Sequence, residues 1–111
     1  MNHHKFDVVA VEFPFIENSK ITKVRPAVVI SSDEYNKNTG FVVIAMITSA
    51  KNSKLWNDVK INDWQSLELE HSSFIRMKFA NVVKGSILHK MGQLSQVDQK
   101  PLQKILHDIF G

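Results

Sequence analysis

The sequence predicts a mainly β domain, a small and strongly bent antiparallel sheet or barrel closed by one C-terminal α-helix. Three observations predict it. Short β-branched and aromatic runs recur along most of the chain, separated by polar loops and turns. Two of these runs, Val28-Val29-Ile30 and Phe41 to Ile47, are apolar on both faces, as strands in the middle of a sheet are. Clear helical periodicity appears only at the end, where Val97, Leu102, Ile105, Leu106, Ile109 and Phe110 share one face.

The elements follow in order. Phe6 to Phe13 alternates roughly and reads as a strand that Pro14 ends. Phe15 to Thr22 is a polar loop. Val24 to Ser31 is the second strand, with Pro26 near its start, where a missing N–H is tolerable. Ser31 to Asn36 has the composition of one capped turn of helix. Asn38-Thr39-Gly40 is a turn, and Phe41 to Thr48 is the third strand. Ala50 to Asn57 is a second polar loop. Val59 and Ile61 alternate with polar neighbours, as in a half-exposed strand. Trp64 to Glu70 is irregular or a short turn. Phe74 to Met77 and Phe79 to Val83 form one strand region with a bulge near Lys78. Ile87 to Leu94 closes the sheet. Ser95 and Asp98 have capping-box spacing. Because proline is costly inside a helix, the helix proper is expected to begin near Asp98, with Pro101 in its first turn.

The chain of 111 residues suffices for one domain, 1–111, with a real core; 43% of it is apolar, too much for a disordered chain. It contains no cysteine, which excludes a disulfide framework, a thiolate nucleophile and a cysteine zinc site, and fits a reducing cytoplasm. No apolar run is long enough to span a bilayer. Met1 to Lys5 lacks the apolar core of a signal peptide, and the paired His3 and His4 receive no role. The net charge of +3 is mild, but its placement is informative. No acid falls between Asn18 and Ser32 or between Tyr35 and Asn57, while Lys20, Lys23, Arg25, Lys37, Lys51 and Lys54 do. This basic zone fits an anionic partner.

The five histidines lack metal-ligand spacing, and no glycine-rich phosphate loop or GxSxG motif is present. No cofactor or metal is expected. Arg25 stands out. It opens one strand, and Thr48-Ser49 ends the next, so a fixed cation and two hydroxyls can converge on one spot. A guanidinium grips two phosphate oxygens at once and stabilises the added charge of a pentacoordinate phosphorus. The alternative is a surface arginine in an ordinary salt bridge. Arg76 suits either a phosphate or a sheet-surface ion pair with Glu68 or Glu70. Trp56 and Trp64 can stack on bases or pack against protein.

Taken together, four segments resemble the PemK/MazF toxin family. They are Phe6 to Phe15, Lys23-Val24-Arg25-Pro26-Ala27-Val28-Val29-Ile30-Ser31, Val43 to Ser49, and Ile87 to Ser95 with its Met91-Gly92-Gln93-Leu94-Ser95. The resemblance implies an SH3-like barrel with a C-terminal helix that forms a homodimer. It implies a toxin of a type II toxin–antitoxin system, a metal-independent endoribonuclease cutting single-stranded RNA, such as mRNA, through 2′-hydroxyl attack. The implied partners are RNA and a cognate antitoxin protein, with operator DNA reached only through the antitoxin. Carried over by position, the catalytic residues are Arg25 and Thr48. Ser49, Lys20, Lys23, Lys51 and Arg76 are expected to hold RNA, and the loop from Asn18 to Thr22 to gate the groove. The chain departs from some members at Lys78, where they carry an acidic residue as candidate base. That departure keeps a rival reading open: a non-catalytic barrel that poisons a protein target, as CcdB-like gyrase poisons do, or binds nucleic acid without cutting it.

Overall fold

The computed structural model describes residues 2–14, 22–52 and 54–111, with Pro14 and Thr22 described by backbone alone. The strands are β1 (Asp7–Pro14), β2 (Thr22–Val29), β3 (Phe41–Ser49), β4 (Val59–Ile61), β5 (Ser73–Val83) and β6 (Ile87–Gln93). They form one antiparallel sheet in the order β4-β5-β3-β2-β1-β6. Helix α1 (Asp33–Thr39) follows β2, and α2 (Gln96–Phe110) closes the chain. None of the helices among the described residues is long and apolar enough to cross a membrane. Lys20 and the rest of the expected gating loop up to Ile21 lie outside the described residues.

The two-sided apolar strands are interior, as the sequence predicts, and each face feeds its own core. On one face Val8, Val28, Ala45, Ile47 and Ile75 pack with Leu67, Leu94 and the α2 residues Leu102 and Leu106. On the other, Val9, Val11, Ala27, Val29, Val42 and Ile44 are fully buried and are closed over by Phe13, Met46, Ala80, Val82 and Ile87. The sheet can supply both layers only by curling into a half-barrel, with α2 covering the outer face. The bulge expected near Lys78 bends β5. Ala45 pairs with Phe79 and Ile47 with Ile75, so β5 spends two more residues than β3 over that stretch.

Pro26 shapes the middle of the sheet. Backbone groups of alternate residues in a strand point to the same neighbour. Ile30 N–H bonds Val43 O at 2.9 Å, so the even-numbered residues of β2 face β3, and Val29 O accepts from Phe6 N–H on the opposite side. Pro26 therefore lacks its donor on the β3 side. The β2–β3 ladder stops one residue before it, at Ala27 opposite Met46, while pairing with β1 continues to Thr22.

Four details depart from the sequence expectations. Helix α1 runs to Thr39, beyond the single expected turn. Ser32 caps it, and Gly40 at φ +76° ends it in the left-handed conformation that glycine tolerates. Helix α2 begins at Gln96, directly after its cap Ser95, and not near Asp98; Pro101 sits in the second turn. Val97 and Pro101 are both exposed, so water can replace the hydrogen bond that proline cannot make. The Asp98 carboxylate is fully buried and does more than cap. It accepts from Asn62 N–H (2.9 Å), Asn62 Nδ2 (3.0 Å) and Asp63 N–H (3.0 Å), tying α2 to the end of β4. The paired histidines also have structural roles. His3 is buried, which lowers its pKa, and its carbonyl accepts from Asn36 Nδ2; His4 Nδ1 pairs with Asp33 at 2.9 Å.

The 3₁₀ turn at Trp64–Leu67 presses Leu67 onto β6 at Gly92, whose φ is +153°. A Cβ built on Gly92 would stand 2.8 Å from Leu67 Cδ2. Gly92→Ala is therefore expected to lower stability by about 2 kcal/mol, combining overpacking with a disfavoured φ. Thermal unfolding followed by circular dichroism checks this, and an unchanged midpoint contradicts it.

Candidate nucleic-acid interface

The face that carries the inner core changes character at its open end. Ala27 and Val29 of β2, Ile44 and Met46 of β3, and Ala80 and Val82 of β5 belong to that core. Continuing each strand by twos, on the same face, gives Lys23 and Arg25, then Thr48, then Arg76 and Lys78. Apolar residues give way to cations and a hydroxyl where the strands separate beyond Pro26. Extending the β2–β3 register sets Arg25 opposite Thr48.

Two cavities open there. One, of about 470 Å³, is lined by Lys23, Arg25, Thr48, Arg76 and Lys78 together with Phe13 and Met46. The other, of about 410 Å³, is lined by Arg25, Pro26, Thr48, Ser49, Asn52, Glu68, Glu70, His71 and Ser73, among others. Arg25, Ile47 and Thr48 line both and so form the wall where the two meet. A larger cavity of about 810 Å³ lies elsewhere, between α1 and α2, and contains none of these residues.

The structure thus brings together Arg25, Thr48, Ser49, Lys23 and Arg76. Lys51 is exposed in the turn after Ser49 and lines neither cavity. Thr48 Oγ1 accepts a 2.7 Å hydrogen bond from Asn52 Nδ2, which leaves the hydroxyl proton available to donate elsewhere. Ser49 Oγ accepts from Lys51 N–H at 3.2 Å, and Ala50 N–H bonds Ser72 O at 2.8 Å, which holds the turn against the segment entering β5. Arg25 is exposed and makes no side-chain hydrogen bond or ion pair with the described residues.

Arg76 differs. Its partner is Asp58, not Glu68 or Glu70: Nε reaches Oδ1 at 3.3 Å and Nη2 reaches Oδ2 at 2.9 Å. The Asp58 carboxylate is 1% exposed and also accepts from Leu55 N–H at 2.7 Å. Burial pushes its pKa up, but the Arg76 and Leu55 hydrogen bonds outweigh this and hold it below the ordinary aspartate value. Asp58 in turn raises the proton affinity of Arg76. The turn that Asp58 closes carries Trp56, 89% exposed, while Trp64 packs against the outer core.

Sequence reasoning missed Asn52, Asp58 and His71. Asp58 was findable: it precedes Val59, which pairs with Ile75, so the β4–β5 register puts Asp58 beside Arg76. Asn52 and His71 come from connecting segments, whose positions no strand periodicity sets.

Comparison with known proteins places the fold. The family described as PemK-like, MazF-like toxins of type II toxin–antitoxin systems matches residues 4–110. The chain belongs to that family. No curated protein matches it. Among solved structures it is similar to the MazE–MazF complex of Deinococcus radiodurans, with a TM-score of 0.78, 16% identity and coverage of 100% of this chain and 98% of that one. It is similar to the Mycobacterium tuberculosis toxin MazF-mt6, with a TM-score of 0.73, 13% identity and coverage of 94% and 95%. It is also similar to a mycobacterial endoribonuclease solved with its cognate antitoxin, with a TM-score of 0.73, 13% identity and coverage of 96% and 91%. The expected mainly β barrel with a C-terminal helix is therefore the fold observed.

The Asp58–Arg76 pair generates a pH prediction. A carboxyl whose folded pKa is depressed adds stability at pH values above its unfolded pKa, and that stability is lost as pH falls through the folded value. Asp58→Asn is expected to cost about 2 kcal/mol near neutrality, the scale of hydrogen bonds to a charged group. The gap between the two proteins should close below about pH 4, where carboxylates protonate. Melting temperatures measured from pH 7 to pH 2.5 test it; a gap that stays constant contradicts it.

Proposed function

We propose that this protein is a toxin endoribonuclease that cleaves single-stranded RNA without a metal ion, by attack of the 2′-hydroxyl on the adjacent phosphorus. One observation carries the reading: Arg25, without a protein partner among the described residues, and the Thr48 hydroxyl form the wall shared by two cavities, one of them strongly basic. An RNA strand crossing that wall sets one phosphodiester against Arg25 while neighbouring phosphates meet Lys23, Lys78 and Arg76. Arg25 stabilises the charge that develops on the phosphorane oxygens and supplies the leaving 5′-oxygen with a proton source. Thr48, oriented by Asn52, donates to a non-bridging oxygen. Ser49 and Lys51 hold the strand beyond it, and Lys20, outside the described residues, is proposed to bind RNA as well. The products are a 2′,3′-cyclic phosphate and a 5′-hydroxyl; the nucleophile belongs to the substrate, so the protein needs only orientation, charge stabilisation and proton transfer.

Family membership supports a cognate antitoxin as the regulating partner, and relatives crystallised with antitoxins add to that support. The same reading includes a cytoplasmic homodimer that meets operator DNA only through the antitoxin.

Purified protein is expected to cut mixed-sequence single-stranded RNA in the presence of EDTA and to leave the 2′-deoxy analogue intact. Arg25→Ala should lower the rate about 10²- to 10³-fold, the scale of losing one preorganised donor to a transition-state oxyanion. RNA bound but uncut favours the non-catalytic alternative, and cutting of the deoxy strand removes 2′-hydroxyl attack.

Asn52→Ala frees the Thr48 hydroxyl to rotate. We expect kcat to drop about tenfold with little change in KM, since an interaction made mainly in the transition state is lost. Equal losses in binding and turnover would assign Asn52 to substrate binding instead.

A further inference from the structure

We propose that His71 is the general base of this site, taking the place of the carboxylate that Lys78 excludes. The inference rests on the ribonuclease reading above and adds the base for the 2′-hydroxyl which that reading lacks. His71 lines the same cavity as Arg25 and Thr48 and is the only histidine among the described residues that does. Its backbone is fixed there from both sides. The His71 carbonyl accepts from Ser73 Oγ at 2.8 Å, the next residue's carbonyl accepts from Ala50 N–H at 2.8 Å, and Ser73 and Phe74 pair with Ser49 and Thr48. From the other end, the Leu67–Gly92 contact seats the 3₁₀ turn that launches Glu68 to His71. The imidazole is exposed and makes no side-chain hydrogen bond or ion pair with the described residues.

The charged groups that line the cavity with it are Arg25 from β2 and Glu68 and Glu70 from its own segment. Thr48 and Ser49 of β3 and Met91 of β6 bring no charge to the cavity, and Lys51 stands outside it in the following turn. Imidazole is the side chain that exchanges a proton most readily near neutrality, where a base works best. Carboxylates facing an approaching phosphate repel it, whereas a neutral imidazole does not.

The step balances without a co-reactant. Neutral His71 removes the 2′-hydroxyl proton as O2′ bonds to phosphorus. The P–O5′ bond breaks, the 5′-oxygen leaves with a proton that Arg25 supplies and regains from solvent, and the imidazolium returns its proton to water.

The test compares wild type, His71→Gln, His71→Ala and Glu70→Gln on a short RNA carrying the site that wild type cuts in a mixed-sequence transcript. For wild type, kcat/KM should rise about tenfold per pH unit on the acid side and then level off at a single break. His71→Gln should lose about 10²-fold at pH 8 and lose that break, with binding of the uncleavable 2′-deoxy strand unchanged. Added imidazole should restore activity to His71→Ala. A His71→Gln enzyme that retains the break, even at reduced rate, overturns the proposal, as does disappearance of the break in Glu70→Gln alone. Circular dichroism of each variant separates misfolding from chemistry, and imidazole rescue requires a folded protein. If wild type cuts no RNA at all, the ribonuclease reading itself fails, which is distinct from wild type cutting while the His71 variants match it.

Discussion

One missing hydrogen-bond donor organises the candidate site. Pro26 has no N–H to give β3, so the central ladder of the sheet ends at Ala27 and Met46. Had it continued, the next backbone bond would have drawn Arg25 and Thr48 into an ordinary cross-strand pair on a closed surface. Instead β2 stays bound to β1, β3 stays bound to β5, and the space between the released ends is the wall that two cavities share. The gap is stable because the strands on either side are anchored by cores on both faces. Register matters for the same reason: a slip of one residue would exchange the faces on which Arg25 and its neighbours stand and turn Arg25 towards the opposite core.

Electrostatics then distinguishes two arginines that look alike in sequence. Arg76 is half of a pair with a carboxylate buried beneath it, so much of its charge is already answered by protein. Arg25 has no such partner among the described residues, and its charge is left for a ligand to meet. This difference separates a residue that shapes a wall from one that can respond to charge developing on a substrate. The Asp58 carboxylate also fixes the turn bearing Trp56, which couples the basic cavity to the most exposed aromatic ring among the described residues.

Much of this was legible in the sequence because strand alternation is a local code. Val28-Val29-Ile30 and Phe41 to Ile47 announced interior strands, Lys78 announced a bulge, and Arg25 and Thr48 announced themselves by lying where apolar runs begin and end. The helix start was misplaced because proline was weighed as an interior helix breaker, whereas an exposed second turn lets water stand in for the lost bond. Arg76 was given the wrong acid because Glu68 and Glu70 are nearer in sequence; only the pairing of β4 with β5 brings Asp58 alongside. Asn52 and His71 were not legible as site residues at all. Their placement depends on tertiary contacts, Ala50 with Ser72 and Leu67 with Gly92, that carry no periodic signature.

The division of labour around the cavities has an evolutionary consequence. The wall of Arg25 and Thr48 stands on two interior strands, whereas Asn52, Glu68, Glu70 and His71 come from segments that join strands. Substitutions in those connectors change the outline and charge of the cavity without disturbing buried packing. Selection can therefore retune which ligands the cavity admits while the scaffold and its central cation stay in place. A lineage built this way can diversify its targets quickly and keep its shape, as relatives sharing under a fifth of their residues with this chain have kept theirs.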